Sequence, residues 1–282
     1  MLGDVPHTLA CPHCGADLAG EDTGLRCAAG HTFDIARQGY VNLLTGAGPT
    51  GTADTAAMVA ARVDFLGAGH YDRLGDALAA ACADAPPGTL VDVGAGTGHH
   101  LARVLDALPD RRGLALDISK YALRRAARAH PRMGAAVCDA WRPLPVRTGV
   151  AARVLNVFAP RNPPELHRIL HPDGALVVAA PAPGHLGELV PALDLLRVDA
   201  DKRERIDAKL APWFTVRARR TLTYPMTLDH AAIATVVAMG PSAWHTDPED
   251  LRTRLAALAN PQVVTASITV SVYDPVRRLP NP

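Results

Sequence analysis

Apolar stretches alternate with helical patterns through the middle of the chain, from about residue 89 to residue 180. Five of the apolar stretches are short enough to be buried strands: TLVDVG, RGLALDI, AAVCDA, ARVLNVF and GALVVAA. Between them, segments around residues 98–108, 120–130 and 163–170 carry apolar residues at the three-to-four-residue spacing typical of helices. Strands that alternate with helices predict a parallel sheet with helices on both faces.

The remaining third of the chain continues differently. Helical patterns cover Leu189–Leu210, residues 229–239 and residues 248–258, whereas residues 214–228 and 263–275 alternate as strands do. Five parallel strands followed by two strands with helices between them is the element order of the class I methyltransferases, whose last strand is antiparallel. A dehydrogenase would continue with further parallel units. The predicted fold class is therefore α/β, a Rossmann-like sheet of seven strands with an antiparallel last strand.

The first 85 residues do not show the alternation of strands and helices seen in the middle of the chain. Residues 1–45 lack helical periodicity, TGAGPTGTAD (45–54) is a Gly/Thr-rich joint, and Thr55 to about Ala85 is helical in pattern. We expect a small module over residues 1–45, a linker and joining helix over 46–70, and the main domain over 71–282.

Composition narrows the class of protein. The 282 residues are 48% hydrophobic and 20% charged, with a formal net charge of +1, so bulk charge does not decide for or against a nucleic-acid partner. No apolar run approaches the roughly 20 residues needed to span a bilayer, and the first residues do not resemble a secretory signal. An odd number of cysteines, three of them in the first 27 residues, favours a metal site in a reducing compartment over disulfides. We expect a cytoplasmic protein without a membrane partner.

The metal site is predicted from spacing. Cys11 and Cys14 form a CxxC pair, and Cys27 and His31 follow as CxxxH after twelve intervening residues. Three thiolates and one imidazole make the closed tetrahedral set of structural Zn²⁺, and a module of about 40 residues needs such a metal to fold. The alternatives are accidental clustering of reduced cysteines and, for one ligand position, His7.

A second motif follows the first predicted strand. In VDVGAGTGHH, Asp92 precedes the three glycines Gly94, Gly96 and Gly98, which allow a tight turn and close approach of a ligand at a helix amino end. The acid would repel a pyrophosphate but suits the amino-acid portion of S-adenosylmethionine, held directly or through water. Asp117 ends the next strand, where a carboxylate reaches ribose hydroxyls, and Asp139 after the third strand is placed to meet the adenine. Each acid taken alone is equally well an exposed loop residue or a helix cap.

Several segments together resemble one known family. The segments CPHC…CAAGHTFDIARQGYVNLL, AAMVAARVDFLGAGHY, VDVGAGTGHH and LNVFAPRNPPELHRILHPDGALVVAAPAPGHL resemble the bacterial 23S rRNA guanine-N1 methyltransferases, in which a zinc finger precedes the methyltransferase domain. The resemblance runs from about Leu9 to AMGPSAWHTDPEDL. GHHLARVL, RRAARAHPR, LNVFAPRNPPE and VVAMGPSAWH are most similar to the actinomycete tylosin-resistance branch, which modifies guanine-748 in hairpin 35 rather than guanine-745.

The resemblance implies roles residue by residue. It places zinc on the four residues named above, and S-adenosylmethionine against Tyr71, the loop with Gly94, Gly96, Thr97, Gly98 and His99, and Asp117 and His185. It also implies guanine-N1 methylation of the 23S rRNA hairpin, macrolide resistance, and a homodimer with a cleft for the hairpin. An RNA-binding module is expected to be basic, but residues 1–45 carry five acidic and two basic residues. If the module contacts RNA, it does so by shape or through its backbone and not as a basic patch.

The acceptor side is predicted from its position after the fourth strand. Phe158 either stacks on a flipped guanine or belongs to the core, and Asn156 or a neighbouring carbonyl would hold the edge of the base. No carboxylate there is an unambiguous proton acceptor. Two basic clusters either contact phosphates or are solvated faces: Arg124, Arg125, Arg128, His130 and Arg132, and Arg217, Arg219 and Arg220.

Two other functions stay open at this point. A small-molecule methyltransferase of secondary metabolism would leave the zinc module without a purpose. A zinc-dependent RNA-binding protein with a vestigial cofactor site would not need Asp92, the three glycines and Asp117 intact.

Overall fold

The computed structural model describes residues 5–46, 53–197, 199, 201–240, 243 and 247–277. Most of the predicted joint and part of the segment AMGPSAWHTDPEDL therefore lie outside the described residues. The predicted domain division after residue 45 falls beside the first of these gaps and stays a prediction. No helix among the described residues is long and apolar enough to cross a bilayer.

The amino-terminal module is a small three-stranded antiparallel sheet. Its strands are β1 (Leu18–Gly20), β2 (Gly24–Cys27) and β3 (Thr32–Asp34), in that order across the sheet. The next strand, β4 (Val41–Asn42), leaves the module and pairs in parallel with a strand of the main sheet. The module and the main domain are thus joined through backbone hydrogen bonds as well as through packing.

Helices and strands then alternate as the pattern predicts. In chain order they are α1 (Ala56–Gly67), α2 (Asp72–Cys82), β5 (Thr89–Val93), α3 (His99–Ala107), β6 (Gly113–Asp117), α4 (Lys120–Ala129), β7 (Met133–Val137), β8 (Ala151–Val157), α5 (Pro163–Ile169), β9 (Leu170–Pro181), α6 (Leu189–Leu193), α7 (Lys202–Leu210), β10 (Phe214–Leu228), α8 (His230–Ala238), α9 (Pro248–Ala256) and β11 (Gln262–Pro275).

The main sheet has the order β10-β11-β9-β8-β5-β6-β7-β4. Strands β4 to β9 are parallel, whereas β11 runs antiparallel to both of its neighbours. This is the predicted class I methyltransferase sheet, with β4 added at one edge as an eighth strand. The fold class is confirmed.

Each strand of the sheet contributes to two cores because successive side chains point to opposite faces. In β5, Leu90 packs with α2 and α3 on one face, whereas Val91 and Val93 pack on the other. The second face is covered by α5 and α7 and also by apolar residues of the zinc module, among them Leu18 and Leu25. The module therefore covers part of the main core.

One helix prediction is wrong. The segment Leu189–Leu210 is two short helices, α6 and α7, rather than one continuous helix. The residue after α6, Asp194, adopts the left-handed conformation with φ of +55°, which a continuous right-handed helix does not allow. Periodicity of apolar positions does not reveal such a break. The two helices pack on opposite faces of the sheet, with Leu189 and Leu193 of α6 on the side of Leu90 and Leu210 of α7 on the side of Val91.

Candidate functional site

The four predicted metal ligands lie together at the tip of the module. Cys11 and Cys14 come from the loop before β1, Cys27 ends β2, and His31 follows it. Their ligand atoms all lie within 4.8 Å of one another. Two tight turns produce this arrangement, because Gly15 N–H donates to Cys11 O at 2.8 Å and Cys27 N–H donates to His31 O at 3.0 Å.

The distances within the cluster fit tetrahedral zinc. The Cys14 and Cys27 Sγ atoms are 3.7 Å apart, and His31 Nδ1 lies 3.3 Å from Cys27 Sγ and 3.5 Å from Cys11 Sγ. A tetrahedral ion with Zn–S of about 2.3 Å and Zn–N of about 2.0 Å separates its ligand atoms by about 3.5–3.8 Å. Four protein ligands leave no open coordination position, so the site is structural. His13 lies outside the set, with its ring 5.0 Å from that of His31.

The glycine loop after β5 leaves no room for a side chain at Gly94 and little at Gly98. Gly94, Gly96 and Gly98 have φ of +80°, +54° and +75°, a region that other residues rarely adopt. A Cβ atom on Gly94 would lie 2.3 Å from the Cβ of Ala159. Gly98 is the N-cap of α3, so the amino end of that helix is directed toward the loop. These glycines form a backbone cradle at the carboxyl end of β5.

Asp92 lies beneath this cradle and is almost fully buried. Its Oδ1 has no hydrogen-bond partner in the part of the chain that the structure describes. Burial and the nearby Asp117 carboxyl raise the pKa of Asp92 to about 8. A buried carboxyl oxygen without a partner matches an ammonium group, and S-adenosylmethionine carries one on its amino-acid portion. The residues around the cradle therefore fit this cofactor.

Asp117 shapes the cradle from the neighbouring strand. Its Oδ2 accepts a hydrogen bond from Gly96 N at 2.8 Å, and its Oδ1 accepts one from Ser119 N at 2.8 Å. Burial raises the pKa of Asp117 despite these two bonds. Each carboxylate oxygen accepts more than one hydrogen bond, so Asp117 keeps capacity for ribose hydroxyls.

The other predicted cofactor residues surround the same loop. Thr97 is buried within it, and His99 begins α3 with a pKa lowered by burial, so its imidazole is neutral near pH 7. Asp139 follows β7, and its Oδ1 accepts a hydrogen bond from Trp141 N at 2.9 Å. Its Oδ2 lies 3.6 Å from Arg142 Nε, so both oxygens already have a partner, and the predicted adenine contact would have to share one of them.

Three aromatic side chains meet beside the loop. The ring centroids of Tyr71 and Phe158 are 6.1 Å apart, those of Tyr71 and His185 are 6.1 Å apart, and those of Phe158 and His185 are 6.3 Å apart. The three residues come from the start of α2, the end of β8 and the segment after β9. The fold thus brings the two cofactor residues implied by the family resemblance next to the predicted acceptor residue.

Hydrogen bonds fix the protonation of this aromatic cluster. His185 Nδ1 accepts a hydrogen bond from Ser267 N at 3.1 Å, so the proton of the neutral ring lies on Nε2 and is directed to Tyr71 Oη at 3.2 Å. Burial lowers the pKa of His185 to about 4 and raises the pKa of Tyr71. Near pH 7 His185 has no lone pair available for a substrate proton, whereas the Tyr71 hydroxyl hydrogen is free to donate.

Phe158 is presented in an unusual backbone conformation. Its φ is +53°, and its side chain is 38% exposed. A bulky residue in the left-handed region is strained, and such strain concentrates at functional sites. The structural alternative, a core phenylalanine, does not match this exposure.

Asn156 is placed below Phe158 rather than beside it. Its side chain is fully buried, and Nδ2 donates to Val93 O at 3.1 Å and to Pro160 O at 2.8 Å. These bonds connect β5 to the segment that carries Phe158. Its Oδ1 is buried without a partner among the described residues. The bonds of Nδ2 position the segment of Phe158, and the contact of Asn156 with the base stays a prediction.

Two cations near the acceptor side were missed from the sequence. Arg161 follows Phe158 by three residues, and its Nε is buried without a partner among the described residues. Lys202, at the start of α7, lines a cavity of about 290 Å³ with Ser267 and Tyr273. Burial lowers the pKa of both, and for Lys202 the charge of Arg161 contributes too. Arg161 lies in the segment LNVFAPRNPPE, next to the predicted acceptor residues, and this position could have indicated it. No local sequence pattern indicates Lys202.

Known proteins resemble this chain along its whole length. A family model described as "RlmA, N-terminal", a zinc ribbon, matches residues 9–46. The 23S rRNA (guanine(748)-N(1))-methyltransferase of Streptomyces fradiae is 53% identical over 98% of this chain and 100% of the relative. A relative from Micromonospora griseorubida, provisionally named a 23S rRNA (guanine-N(1)-)-methyltransferase, is 52% identical over 96% of this chain and 98% of its own. YxjB of Bacillus subtilis, named in the same provisional way, is 33% identical over 93% and 94%.

Proposed function

The chain belongs to the family of 23S rRNA (guanine-N1)-methyltransferases, and we propose that it methylates N1 of guanine-748 in hairpin 35 of 23S rRNA with S-adenosylmethionine as methyl donor. The single observation that carries the proposal is the position of Phe158, which is strained, exposed and adjacent to both the glycine cradle and Tyr71. The relative from Streptomyces fradiae, whose name specifies guanine-748, supports the choice of base.

In this proposal the cofactor is held by backbone and carboxylates. Asp92 accepts the ammonium of the amino-acid portion, Asp117 accepts from the ribose hydroxyls, and Asp139 meets the adenine amino group. The loop from Gly94 to His99 provides close backbone contact, and Tyr71 and His185 limit the space beside it. S-adenosylmethionine supplies an activated methyl group, so the residues contribute mainly alignment of the reacting atoms.

The acceptor base is held by the aromatic cluster. A flipped guanine stacks on Phe158, whose segment is fixed from below by Asn156. The Tyr71 hydroxyl, which accepts from His185, donates its own hydrogen toward the base or the cofactor. His185 is not the acceptor of the N1 proton because its pKa is about 4 and its Nδ1 is already occupied.

The charges near the acceptor favour a nucleic-acid substrate. Neither Arg161 nor Lys202 has a carboxylate within salt-bridge distance among the described residues. Asp199 lines the same cavity as Lys202 and partly offsets its charge, but Asp199 is itself paired with Arg205. The excess of partly desolvated positive charge is therefore costly unless a further anion binds. A phosphate next to the flipped nucleotide supplies that charge, whereas most small-molecule acceptors do not. The intact cradle argues equally against an RNA-binding protein with a vestigial cofactor site.

We also propose an oligomeric state, a resistance phenotype and a cellular compartment. The family resemblance supports a homodimer with a cleft for the hairpin, resistance to tylosin-type macrolides, and action in the cytoplasm. Light scattering of the purified protein gives its molar mass in solution, which distinguishes a dimer from a monomer. Growth of a sensitive strain with and without the gene, in the presence of tylosin, measures the resistance.

The test uses transcripts of the hairpin. Incubated with the protein and S-adenosylmethionine, the wild-type transcript should gain one methyl group, located at N1 of guanine-748 by mass spectrometry of nuclease fragments. Replacing guanine-748 by adenine should abolish the transfer, whereas the matched replacement of guanine-745 should not. Labelling that survives the first replacement, or that appears only on free small molecules, would contradict the proposal.

A further inference from the structure

An open groove lies between the zinc module and the main domain. It has a volume of about 640 Å³ and no acidic residue in its lining. One wall is the turn before β4, a second is the first half of α1, and the third is α4. We call it the arginine groove, and its polar lining residues are Arg37, Gln38, Tyr121, Arg124, Arg125 and Arg128.

The walls of the groove are held in place by contacts outside it. The position of a Cβ on Gly39, in the turn, is 3.6 Å from Ala127 of α4. Ser119, the N-cap of α4, donates through Oγ to Asp54 O at 2.7 Å, just before α1. The groove is therefore a consequence of how the module docks, and neither the module nor the main domain forms it alone.

The arginines of the groove differ from other arginines of the chain. None of the four lies within salt-bridge distance of a carboxylate in the part of the chain that the structure describes. By contrast, Arg219 pairs with Asp207 at 2.6 Å. Arg132 donates to the carbonyl oxygens of Leu108 and Arg111.

The basic residues that cluster in the sequence fall into two groups, those paired within the protein and those without a carboxylate partner among the described residues. Arg132, with His130 beside Asp106, and Arg217 and Arg219 take part in the protein's own hydrogen bonds. Arg124, Arg125 and Arg128 instead converge with Arg37 from another part of the chain. Four guanidinium groups gathered on one concave surface repel one another, and an anion with several charges removes that repulsion.

We propose that the arginine groove binds the phosphodiester backbone of the substrate RNA. Guanidinium groups match phosphates in geometry as well as in charge. The exposed ring of Tyr121 lies under Lys120 and Arg124, with 5.4 Å and 5.6 Å from cation to ring centroid, and offers a stacking surface or a hydroxyl for a 2′-OH. The proposal rests on the proposed function for the identity of the RNA, though not for the presence of the anion site.

The position of the groove suits a substrate that also reaches the acceptor side. Helix α4 starts three residues after Asp117, at the carboxyl end of β6, and Phe158 follows the carboxyl end of the parallel strand β8. The Tyr121 end of the groove and the acceptor therefore lie at the same edge of the sheet, and the groove runs from there along α4 to Arg128. The groove also explains how an acidic module takes part in RNA binding: it contributes Arg37 and the docking that completes the surface.

The test compares two double variants with the same loss of charge. R124Q/R128Q removes two groove arginines, and R112Q/R220Q removes two exposed arginines elsewhere. Binding of the hairpin 35 transcript and of an unrelated RNA duplex is measured by fluorescence anisotropy at several salt concentrations. R124Q/R128Q should bind both RNAs on the order of 10- to 100-fold more weakly at about 0.1 M salt, with the salt slope reduced by about 2. The control variant should keep the affinity and slope of the wild type.

Two further measurements separate the possible failures. R37Q should weaken RNA binding with unchanged zinc content, which shows that the module side contributes. Unchanged S-adenosylmethionine affinity of R124Q/R128Q excludes misfolding as the cause. The groove proposal would be overturned if R124Q/R128Q and the wild type had the same RNA affinity and the same salt slope. It would also be overturned if the wild type bound neither RNA. Loss of methylation specificity for the hairpin with intact duplex binding would overturn the proposed function alone.

Discussion

The zinc cluster and the cofactor cradle differ in whether the protein itself provides partners for their polar side chains. In the module, three cysteines and His31 come within 4.8 Å of one another and match the needs of a single metal ion. In the cradle, Asp92 is buried with an oxygen that has no partner, and Phe158 has a strained backbone. The first arrangement stabilises the fold once zinc is bound. The second costs stability until a ligand binds, which is the usual relation between binding sites and folding free energy.

The two regions also depend on each other through packing. Leu18, Leu25 and the ligand Cys11 belong to the same apolar core as Val91 of β5, whose neighbour Asp92 lies under the cradle. The free energy that zinc binding adds to folding can therefore compensate for the loss of folding stability caused by the empty cofactor site. The following predictions test this relation.

The largest effect should follow loss of the metal. Cys11→Ala/Cys27→Ala should reduce zinc from one ion per chain to none, because two of four ligands are lost. Structural zinc contributes on the order of 10 kcal/mol in isolated fingers. Since the module covers part of the main core, the melting temperature of the whole protein should fall by on the order of 10 °C. Elemental analysis and calorimetry measure the two effects.

The control for this variant is His13→Ala, which removes an exposed ring that stacks on Phe33 and lies tilted against His31, without removing a ligand. It should keep zinc and the wild-type melting temperature. Full zinc occupancy in the double cysteine variant would mean that the ligand set is wrong. An unchanged melting temperature without zinc would mean that module and main domain are energetically independent.

A smaller effect is expected at the ribose carboxylate. Asp117→Ala should weaken S-adenosylmethionine binding by about 1.5–3 kcal/mol, because it removes a charge-assisted acceptor and the bond that orders Gly96. Titration calorimetry gives the affinity, and Asp110→Ala, next to α3 and away from the cradle, is the control. An affinity equal to that of the wild type would place the ribose elsewhere.

The smallest effect, and the one that separates the two regions, should come from Asp92→Asn. The folded-state pKa of Asp92, about 8, lies above its unfolded value near 4. Ionisation therefore disfavours the folded state, and the wild type loses stability as pH rises from about 4 to about 8. The amide cannot ionise, so the variant should be more stable than the wild type by on the order of 1–2 kcal/mol at pH 8.5, and by less at pH 6.

The same substitution should weaken cofactor binding, since the amide does not carry the charge that an ammonium requires. Melting curves at the two pH values and calorimetry with S-adenosylmethionine measure both effects. A variant that is less stable at both pH values would show that the Asp92 carboxyl stabilises the free protein, contrary to the comparison above.

Local patterns predicted the parts of the molecule that depend on neighbours in sequence. The zinc ligands lie within 21 consecutive residues and the glycine loop within ten, and the structure brings both sets together. The core strands followed from apolar stretches, and the antiparallel last strand from the order of elements. Strand β4 was not predicted, because two residues carry no periodicity and its partner β7 is more than 90 residues away.

The acceptor side and the arginine groove depend on distant contacts instead. That Asn156 is buried under Phe158 follows from Val93 and Pro160, which the pattern around Asn156 does not reveal. The sequence shows arginines in clusters but does not show which of them have carboxylate partners, because those partners are distant in the chain: Asp207 for Arg219 is one example. Packing decides these cases, and sequence periodicity does not encode it.

The pairing of Val41–Asn42 with β7 also affects how the protein behaves in concentrated solution. A free sheet edge is a template for pairing with another chain, and proteins protect such edges by covering or charging them. Here the edge at β10 carries Arg217, Arg219, Arg220 and an irregular register near Val216, whereas the edge at β7 is covered by β4 alone. Metal loss that releases β4 would uncover an apolar strand, and we therefore expect the zinc-free protein to aggregate more readily than the zinc-bound protein.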